Sequence, residues 1–233
     1  AMLKSILADI ETNKISRDDD EIESVSIGST DLLASLNKST SSKVRFKLGW
    51  SELTRGLAGG PGRGELVVIE ALQHKNKTGF TLAIFLQMIM LNKIIVEEGK
   101  KPLFIWISLE DDISQIIMKA YIYTYFFEYK KMPTLSEITN EDIDYVLKEL
   151  FMKKYGVDIV FKRIDSSKFS IEKYQGIVNT YDALGYEVVC TSVDYLEKAA
   201  NEANRYNSGA TGSGLKNMFT IFRTYNYEQN ILF

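Results

Sequence analysis

The sequence predicts an α/β domain of three layers, in which helices cover both faces of a mainly parallel sheet. Short apolar runs, typical of buried strands, alternate along the chain with longer segments of helical periodicity. The run at 103–110 is apolar almost throughout, as expected for a strand that is covered on both faces. A length of 233 residues with 45% apolar residues is enough for one large domain of this class.

The elements can be assigned in chain order. The predicted strands are 66–69, 103–110, 157–161, 187–194 and 230–233, of which the last has only begun. The predicted helices are a short one at 49–57, a long one from 77 to about 96, and 113–128, 141–154, 170–184 and 215–228. We expect Thr139 or Asn140 to cap the fourth of these helices and Ser170 to cap the fifth. Since strand–helix–strand units are right-handed and place their strands side by side, this alternation favours a parallel sheet.

Residues 1–45 differ in kind from the rest of the chain. They contain an acidic run at 18–21, a polar run at 39–42 and two short apolar helix candidates at 3–10 and 30–36. One interpretation is a mobile leader, and the other is an arm that docks on a neighbouring subunit. We therefore expect a partly flexible N-terminal leader or linker arm at 1–45 and an organised domain at 46–233.

Composition excludes several classes of protein. The net charge of −3 gives no general support for a nucleic-acid partner, although a local basic patch stays possible. The only cysteine, Cys190, lies in an apolar run, so we expect no disulfide and a reducing compartment such as the cytoplasm. One histidine excludes histidine-rich metal sites. The apolar stretch 80–96 is interrupted by Gln87, Asn92 and Lys93, which favours a buried helix over a membrane span, and no signal peptide is visible.

A Lys-Thr pair opens the long helix directly after the first predicted strand and a polar turn. This order is the layout of a phosphate-binding loop, in which the helix N-terminus and loop amides hold phosphate. The lysine then reaches the outer phosphates and the threonine hydroxyl binds magnesium. The residues expected to bind the nucleotide are His74, Lys75, Asn76, Lys77, Thr78 and Gly79.

The loop departs from the usual G-x-x-x-x-G-K-[ST] pattern. Its two glycine positions hold Ala71 and Asn76, and His74 lies inside it. Glycine serves at such positions because the backbone approaches phosphate closely and often needs positive φ. Asparagine tolerates the left-handed conformation better than other non-glycine residues, so Asn76 is compatible with the loop.

Two further strands end in carboxylates. Glu110 ends the second predicted strand and Asp194 the fourth. Because ligands of open parallel sheets bind at the carboxyl ends of the strands, we expect both carboxylates near Lys77 and Thr78. Phosphoryl transfer to water needs a cation for the phosphates, a carboxylate near magnesium and a group that activates water. The sequence therefore predicts a nucleoside triphosphatase with ATP and Mg²⁺ as cofactors.

Several stretches resemble the C-terminal RecA-like domain of DnaB-type replicative helicases, the hexameric superfamily-four enzymes, and especially their bacteriophage members. The resemblance covers residues 46–233 and includes the entry segments 49–53 and 64–69. It continues through Lys77-Thr78 at the Walker A position, Ser108-Leu-Glu110, and Val193-Asp-Tyr-Leu196 at the Walker B position. The fold that it implies is a three-layer RecA-like P-loop NTPase.

The resemblance implies a role for each matching residue. Lys77 would contact the β and γ phosphates and act in catalysis together with Glu110, which would activate the attacking water. Thr78 would bind magnesium, and Asp194 would hold it through water. The implied assembly is a homohexamer on single-stranded DNA in the cytoplasm, that of the host cell for a phage protein. A primase or a helicase loader would be a further partner, and no membrane is involved.

Two alternatives remain open at this stage. One is a RecA-like scaffold or helicase-assembly module that has lost hydrolysis, which the glycine-poor loop favours. The other is a RecA- or KaiC-like ATPase without helicase activity. Because the sequence stops in the strand where the family carries its sensor, we also expect a domain truncated at its C-terminus.

Overall fold

The computed structural model describes residues 44–72, 74–196, 199, 204–205 and 213–233, and the structural statements below refer to them. The predicted helices 3–10 and 30–36, and nearly all of the predicted arm, lie outside the described residues. The sequence also predicts a flexible loop at 207–214, and most of it likewise lies outside the described residues.

The described residues form strands and helices in alternation. The strands are β1 (Lys101–Ser108), β2 (Asp158–Arg163) and β3 (Tyr186–Asp194). The helices of the described residues include α1 (Ser51–Gly56), α2 (Lys77–Met90), α3 (Ile113–Tyr129), α4 (Asn140–Asp144), α5 (Ile171–Ala183) and α6 (Ser213–Glu228). A π-helical segment, Tyr145–Tyr155, continues α4, and short 3₁₀ turns lie at Leu135–Glu137 and Ser166–Lys168.

The strands make one parallel sheet in the order β2–β1–β3. On one side β1 pairs with β2, with Leu103 opposite Asp158. On the other side β1 pairs with β3, with Ser108 opposite Asp194. The predicted α/β class with a parallel sheet is therefore confirmed.

The central strand β1 separates two apolar layers. Residues 103–107 are all fully buried. Phe104 and Trp106 pack with α2 and α3 in one cluster, whereas Leu103, Ile105 and Ile107 pack with α5 and α6 in the other. Alternate residues of a strand point to opposite faces, so a continuous apolar run is what a sheet with helices on both sides requires.

The first predicted strand, 66–69, is not a regular strand, which corrects the prediction. Its backbone is instead joined to the end of the chain: Val67 N–H donates to the Phe233 carbonyl at 2.8 Å, and Phe233 N–H donates to the Glu65 carbonyl at 3.0 Å. Leu232 in turn pairs in parallel with Cys190 of β3. The segment before the Lys-Thr pair is thus attached to the sheet through two or three residues only, too few for a regular strand.

The long helix ends earlier than predicted, at Met90 rather than near Val96. The Asn92 side chain explains the change: it donates to the Met88 carbonyl, donates to the Lys47 carbonyl and accepts from the Lys47 N–H.

Both predicted helix caps are found. Thr139 forms a full capping box with Asp142, and the Ser170 hydroxyl accepts from Lys173 N–H.

The glycine-rich turn before the Lys-Thr loop is fixed by close backbone contact. Gly60 has φ of +108°, and a Cβ there would overlap the Phe46 carbonyl, so only glycine fits. Arg45 donates to the Gly60 carbonyl and to the Glu65 carboxylate, which also accepts from Gly62 N–H at 2.9 Å. These bonds hold the start of the segment that leads to Lys77.

None of the helices in the described part of the chain is both long enough and apolar enough to cross a membrane.

A buried polar cluster joins α5, β3 and α6. The Tyr174 hydroxyl bonds the Thr191 hydroxyl at 2.7 Å and donates to the Asn226 side chain, whose amide donates to the Phe222 carbonyl. We predict that Tyr174→Phe lowers the free energy of unfolding by about 1–3 kcal/mol, because it leaves buried polar partners unsatisfied. Urea unfolding followed by circular dichroism measures this.

The matched control is Tyr181→Phe on the same helix, where the ring is only half-buried. It is expected to change the free energy of unfolding by less than about 0.5 kcal/mol. Equal effects of the two substitutions would contradict the role given to the Tyr174 hydroxyl.

Candidate nucleotide-binding site

The Lys-Thr loop keeps a strained backbone although it lacks glycine. His74 has φ of +60°, and Asn76 has φ of +56° with ψ of +38°, so both lie in the left-handed region. The left-handed conformation expected of Asn76 is therefore found. His74, Lys75 and Asn76 are exposed, and α2 begins directly after them at Lys77. Each residue with positive φ costs of order 1 kcal/mol or more, so the loop shape is retained against an energetic penalty.

The Asn76 side chain lies against the first turn of α2. A Cβ on Gly79 would overlap the Asn76 amide group, although Gly79 itself has ordinary helical geometry. A larger residue at position 79 would therefore require the Asn76 side chain to move.

The carboxylates at the strand ends are brought together by the β1–β3 pairing. Ser108 lies opposite Asp194, and Leu109 N–H donates to the Asp194 carbonyl at 2.8 Å. Glu110 and Asp111 follow at once, and both act electrostatically on Asp194. The predicted meeting of the two strand ends is thus present in the structure.

Asp194 is the most buried of these acids, with 5% of its surface exposed. Burial raises the pKa of its carboxyl group, while a hydrogen bond with the Thr78 side chain and the charge of Lys77 act in the opposite direction. The negative charges of Asp111 and Glu110 raise the pKa further. A buried carboxylate with a hydroxyl and an ammonium beside it is a polar centre in an apolar setting, the kind of environment found at functional sites.

The three acids after β1 do different work. Asp112 caps α3 by accepting from Ser114 N–H at 2.8 Å. Hydrogen bonds from the Ser114 hydroxyl and then from this N–H lower the pKa of its carboxyl group. Asp111 lies 3.5 Å from the Lys119 ammonium, and its carbonyl accepts from the Ser108 hydroxyl. Glu110 is exposed.

Lys77 has a partner that the sequence did not predict. Its Nζ lies 3.5 Å from the centroid of the Tyr195 ring. Tyr195 follows Asp194 directly, across a cis peptide bond. The position next to the predicted acid was the only signal that could have pointed to this ring.

A cavity opens beside Lys77, between residues 66–70 and residues 192–196, with Thr81, Phe219 and Phe233 completing its wall. Neither His74 nor Asn76 lines it.

The donor set suits a nucleotide with magnesium. Lys77 supplies a cation, and the Thr78 hydroxyl and the Asp194 carboxylate are hard oxygen donors of the type that Mg²⁺ prefers. The first turn of α2 adds free backbone N–H groups for an anion. Across the described residues no cluster of three or more histidine, cysteine, aspartate or glutamate side chains has metal-binding geometry, so a magnesium ion here would also rely on the nucleotide and on water.

These features define the class: a parallel α/β domain that brings a Lys-Thr turn and strand-end carboxylates together, as P-loop ATPase domains do. The model of one family, described as divergent DnaB-like ATPase, matches residues 1–233. The chain belongs to this family.

Solved structures agree in fold. One is a DnaB-like replicative helicase, and the description of its structure includes its interactions with primase. The TM-score is 0.56 and the sequence identity 15%, and the match covers 98% of this chain and 51% of that one. Another, described as an ATPase domain, has a TM-score of 0.53 at 15% identity over 89% of this chain and 70% of that one. The RecA-like fold of DnaB ATPase domains is therefore confirmed. The chain spans about half the length of the first helicase, and no curated protein matches it.

The contact between Asn76 and Gly79 gives a prediction about stability. Gly79→Ala alone is expected to be neutral or destabilising, because the clash offsets the gain in helix propensity of about 1 kcal/mol. With Asn76→Gly present, the same change should stabilise the protein. A double-mutant cycle by urea unfolding should give a coupling free energy of about 1 kcal/mol.

Gly176→Ala is the control, because Gly176 lies inside α5 with open space where a Cβ would be. It should stabilise by about 1 kcal/mol with either residue at position 76. If Gly79→Ala stabilised equally in both backgrounds, the contact would be refuted.

Proposed function

We propose that the chain is an ATPase domain of DnaB-like helicase type, in which ATP hydrolysis drives movement along single-stranded DNA and duplex unwinding. The convergence of Lys77, Thr78 and Asp194 at one sheet edge, with Glu110 two residues after the neighbouring strand β1, carries this proposal. Family membership and the fold of the solved relatives support it.

In this proposal each side chain has one task. Lys77 would contact the β and γ phosphates, while the backbone amides of residues 75–79 would surround the phosphates. Thr78 and Asp194 would hold magnesium, the latter through water, and the ion would supply positive charge beside the phosphates. Glu110 activates the attacking water, for which an exposed carboxylate beyond the end of β1 is suited.

Assembly and partners belong to the same proposal. A hexameric ring of the intact protein would encircle single-stranded DNA, and primase or a loader would bind the ring. The DnaB-like helicase of the structural comparison interacts with primase. A cytoplasmic location, in the host cell if the protein is phage-encoded, is part of this proposal.

A second candidate is a scaffold or helicase-assembly module without hydrolysis. The loop favours it, because His74 and Asn76 replace residues that normally let the backbone approach phosphate. Binding without turnover in the wild-type chain would support this candidate.

The lysine gives the first test. Binding of ATP-γ-S with magnesium, measured by calorimetry, should be lost in Lys77→Ala, with affinity falling at least about 100-fold, because a desolvated charge contact to phosphate is removed. Lys93→Ala, an exposed lysine beyond the end of α2, should bind like the wild type. Wild-type binding retained in Lys77→Ala would exclude a working P-loop.

The carboxylate gives the second test. Glu110→Gln should keep nucleotide affinity within about threefold and lower the rate of phosphate release by at least about 100-fold, because the amide does not accept a proton from water. Glu98→Gln, an exposed residue in the turn before β1, is the control and should be fully active. The assay needs the assembled protein with single-stranded DNA. Full turnover by Glu110→Gln would remove Glu110 from the mechanism.

A further inference from the structure

We propose that Tyr195 is a positioning residue for Lys77: its ring holds the lysine ammonium toward the nucleotide site before ligand arrives. This inference rests on the proposed nucleotide binding and adds a residue to that site. The observation behind it is the distance of 3.5 Å from Lys77 Nζ to the Tyr195 ring centroid.

The contact has the geometry of a strong cation–π interaction. The face of an aromatic ring carries negative charge density and attracts an ammonium within about 6 Å of its centroid. Three other lysine–ring pairs of the described residues, Lys130–Phe127, Lys154–Tyr155 and Lys162–Tyr181, are longer, at 4.5, 5.3 and 5.3 Å. Lys77 is also half-buried, and water screens a half-buried charge less than an exposed one.

Two neighbouring residues at the end of β3 act on the same ammonium. Asp194 interacts with it through charge, and Tyr195 presents its ring. Both side chains line the cavity beside Lys77. Lys77 lines the cavity as well, so the ammonium and the two residues that act on it lie at one cavity wall.

Such restraint favours binding because a free lysine side chain loses rotamer entropy when it is immobilised. An ammonium group has three N–H donors, and a ring face occupies one side of it. The other donors remain for phosphate oxygens. The ring therefore lowers the entropic cost of binding without competing for the phosphate.

The test compares Tyr195→Phe with Tyr195→Leu. Phenylalanine keeps the ring face, whereas leucine keeps apolar bulk without it. Calorimetry with Mg–ATP-γ-S should show affinity within about twofold of wild type for Tyr195→Phe and about tenfold weaker for Tyr195→Leu. Tyr181→Leu is the matched control, because it removes the ring beside Lys162 and should leave nucleotide affinity unchanged.

A second readout needs no nucleotide. The ring should shift the ε-methylene NMR signal of Lys77 upfield in the wild type and in Tyr195→Phe, and this shift should vanish in Tyr195→Leu. Thermal unfolding by circular dichroism confirms that each variant is folded.

The outcomes separate the two proposals. If the wild type binds, Lys77→Ala does not, and Tyr195→Leu binds as well as or better than the wild type, the positioning role is overturned and the P-loop stands. A wild type that binds no nucleotide while Lys77 keeps its upfield shift would overturn the proposed function itself, and the positioning role with it. Loss of affinity in Tyr195→Leu with rescue in Tyr195→Phe supports the inference.

Discussion

The pairing of β1 with β3 at their carboxyl ends is the constraint on which the site depends. Ser108 lies opposite Asp194, and the Leu109 N–H bond to the Asp194 carbonyl extends this pairing by one residue. Because β1 is covered by apolar layers on both faces, its end lies deep in the domain and Asp194 is almost fully buried. A buried carboxylate is costly without partners, and the Thr78 hydrogen bond and the Lys77 charge lower that cost. The buried end of β3 and the first residues of α2 therefore stabilise each other's positions.

The opposite end of the sheet anchors the segment that leads to α2. Arg63 is buried, forms an ion pair with Glu187 of β3, and donates through Nε to the Asn230 carbonyl at 3.0 Å. A guanidinium offers several donors in a fixed plane, so one side chain holds the entry turn, β3 and the last residues of the chain together. This explains how 65–67 stays in place beside Phe233 without being a regular strand.

The sequence sufficed for the fold class because alternation and continuous apolar runs are strong local signals. The ends of helices and strands were harder to predict from the sequence. The helix that begins at Lys77 ends at Met90 because of hydrogen bonds made by the Asn92 side chain, and the hydrophobic pattern shows only that this residue is polar. The acids after β1 show the same limit. Composition does not distinguish a helix cap such as Asp112 from an exposed acid such as Glu110, since the difference lies in which backbone N–H each side chain reaches. The Tyr195 ring was missed because side-chain direction at the end of a strand depends on the turn that follows.

The unusual loop is best understood from its backbone rather than from its residue types. Glycine is favoured in such loops because positive φ costs it nothing, yet His74 and Asn76 both adopt positive φ here. A sequence under no constraint would relax toward negative φ and regain of order 1 kcal/mol at each position. Asn76, at the second glycine position, adopts the positive φ that glycine adopts without cost, and α2 begins at the lysine. The asparagine there therefore argues less against phosphate binding than a pattern search suggests, because a phosphate is bound by backbone N–H groups whose directions are set by φ and ψ.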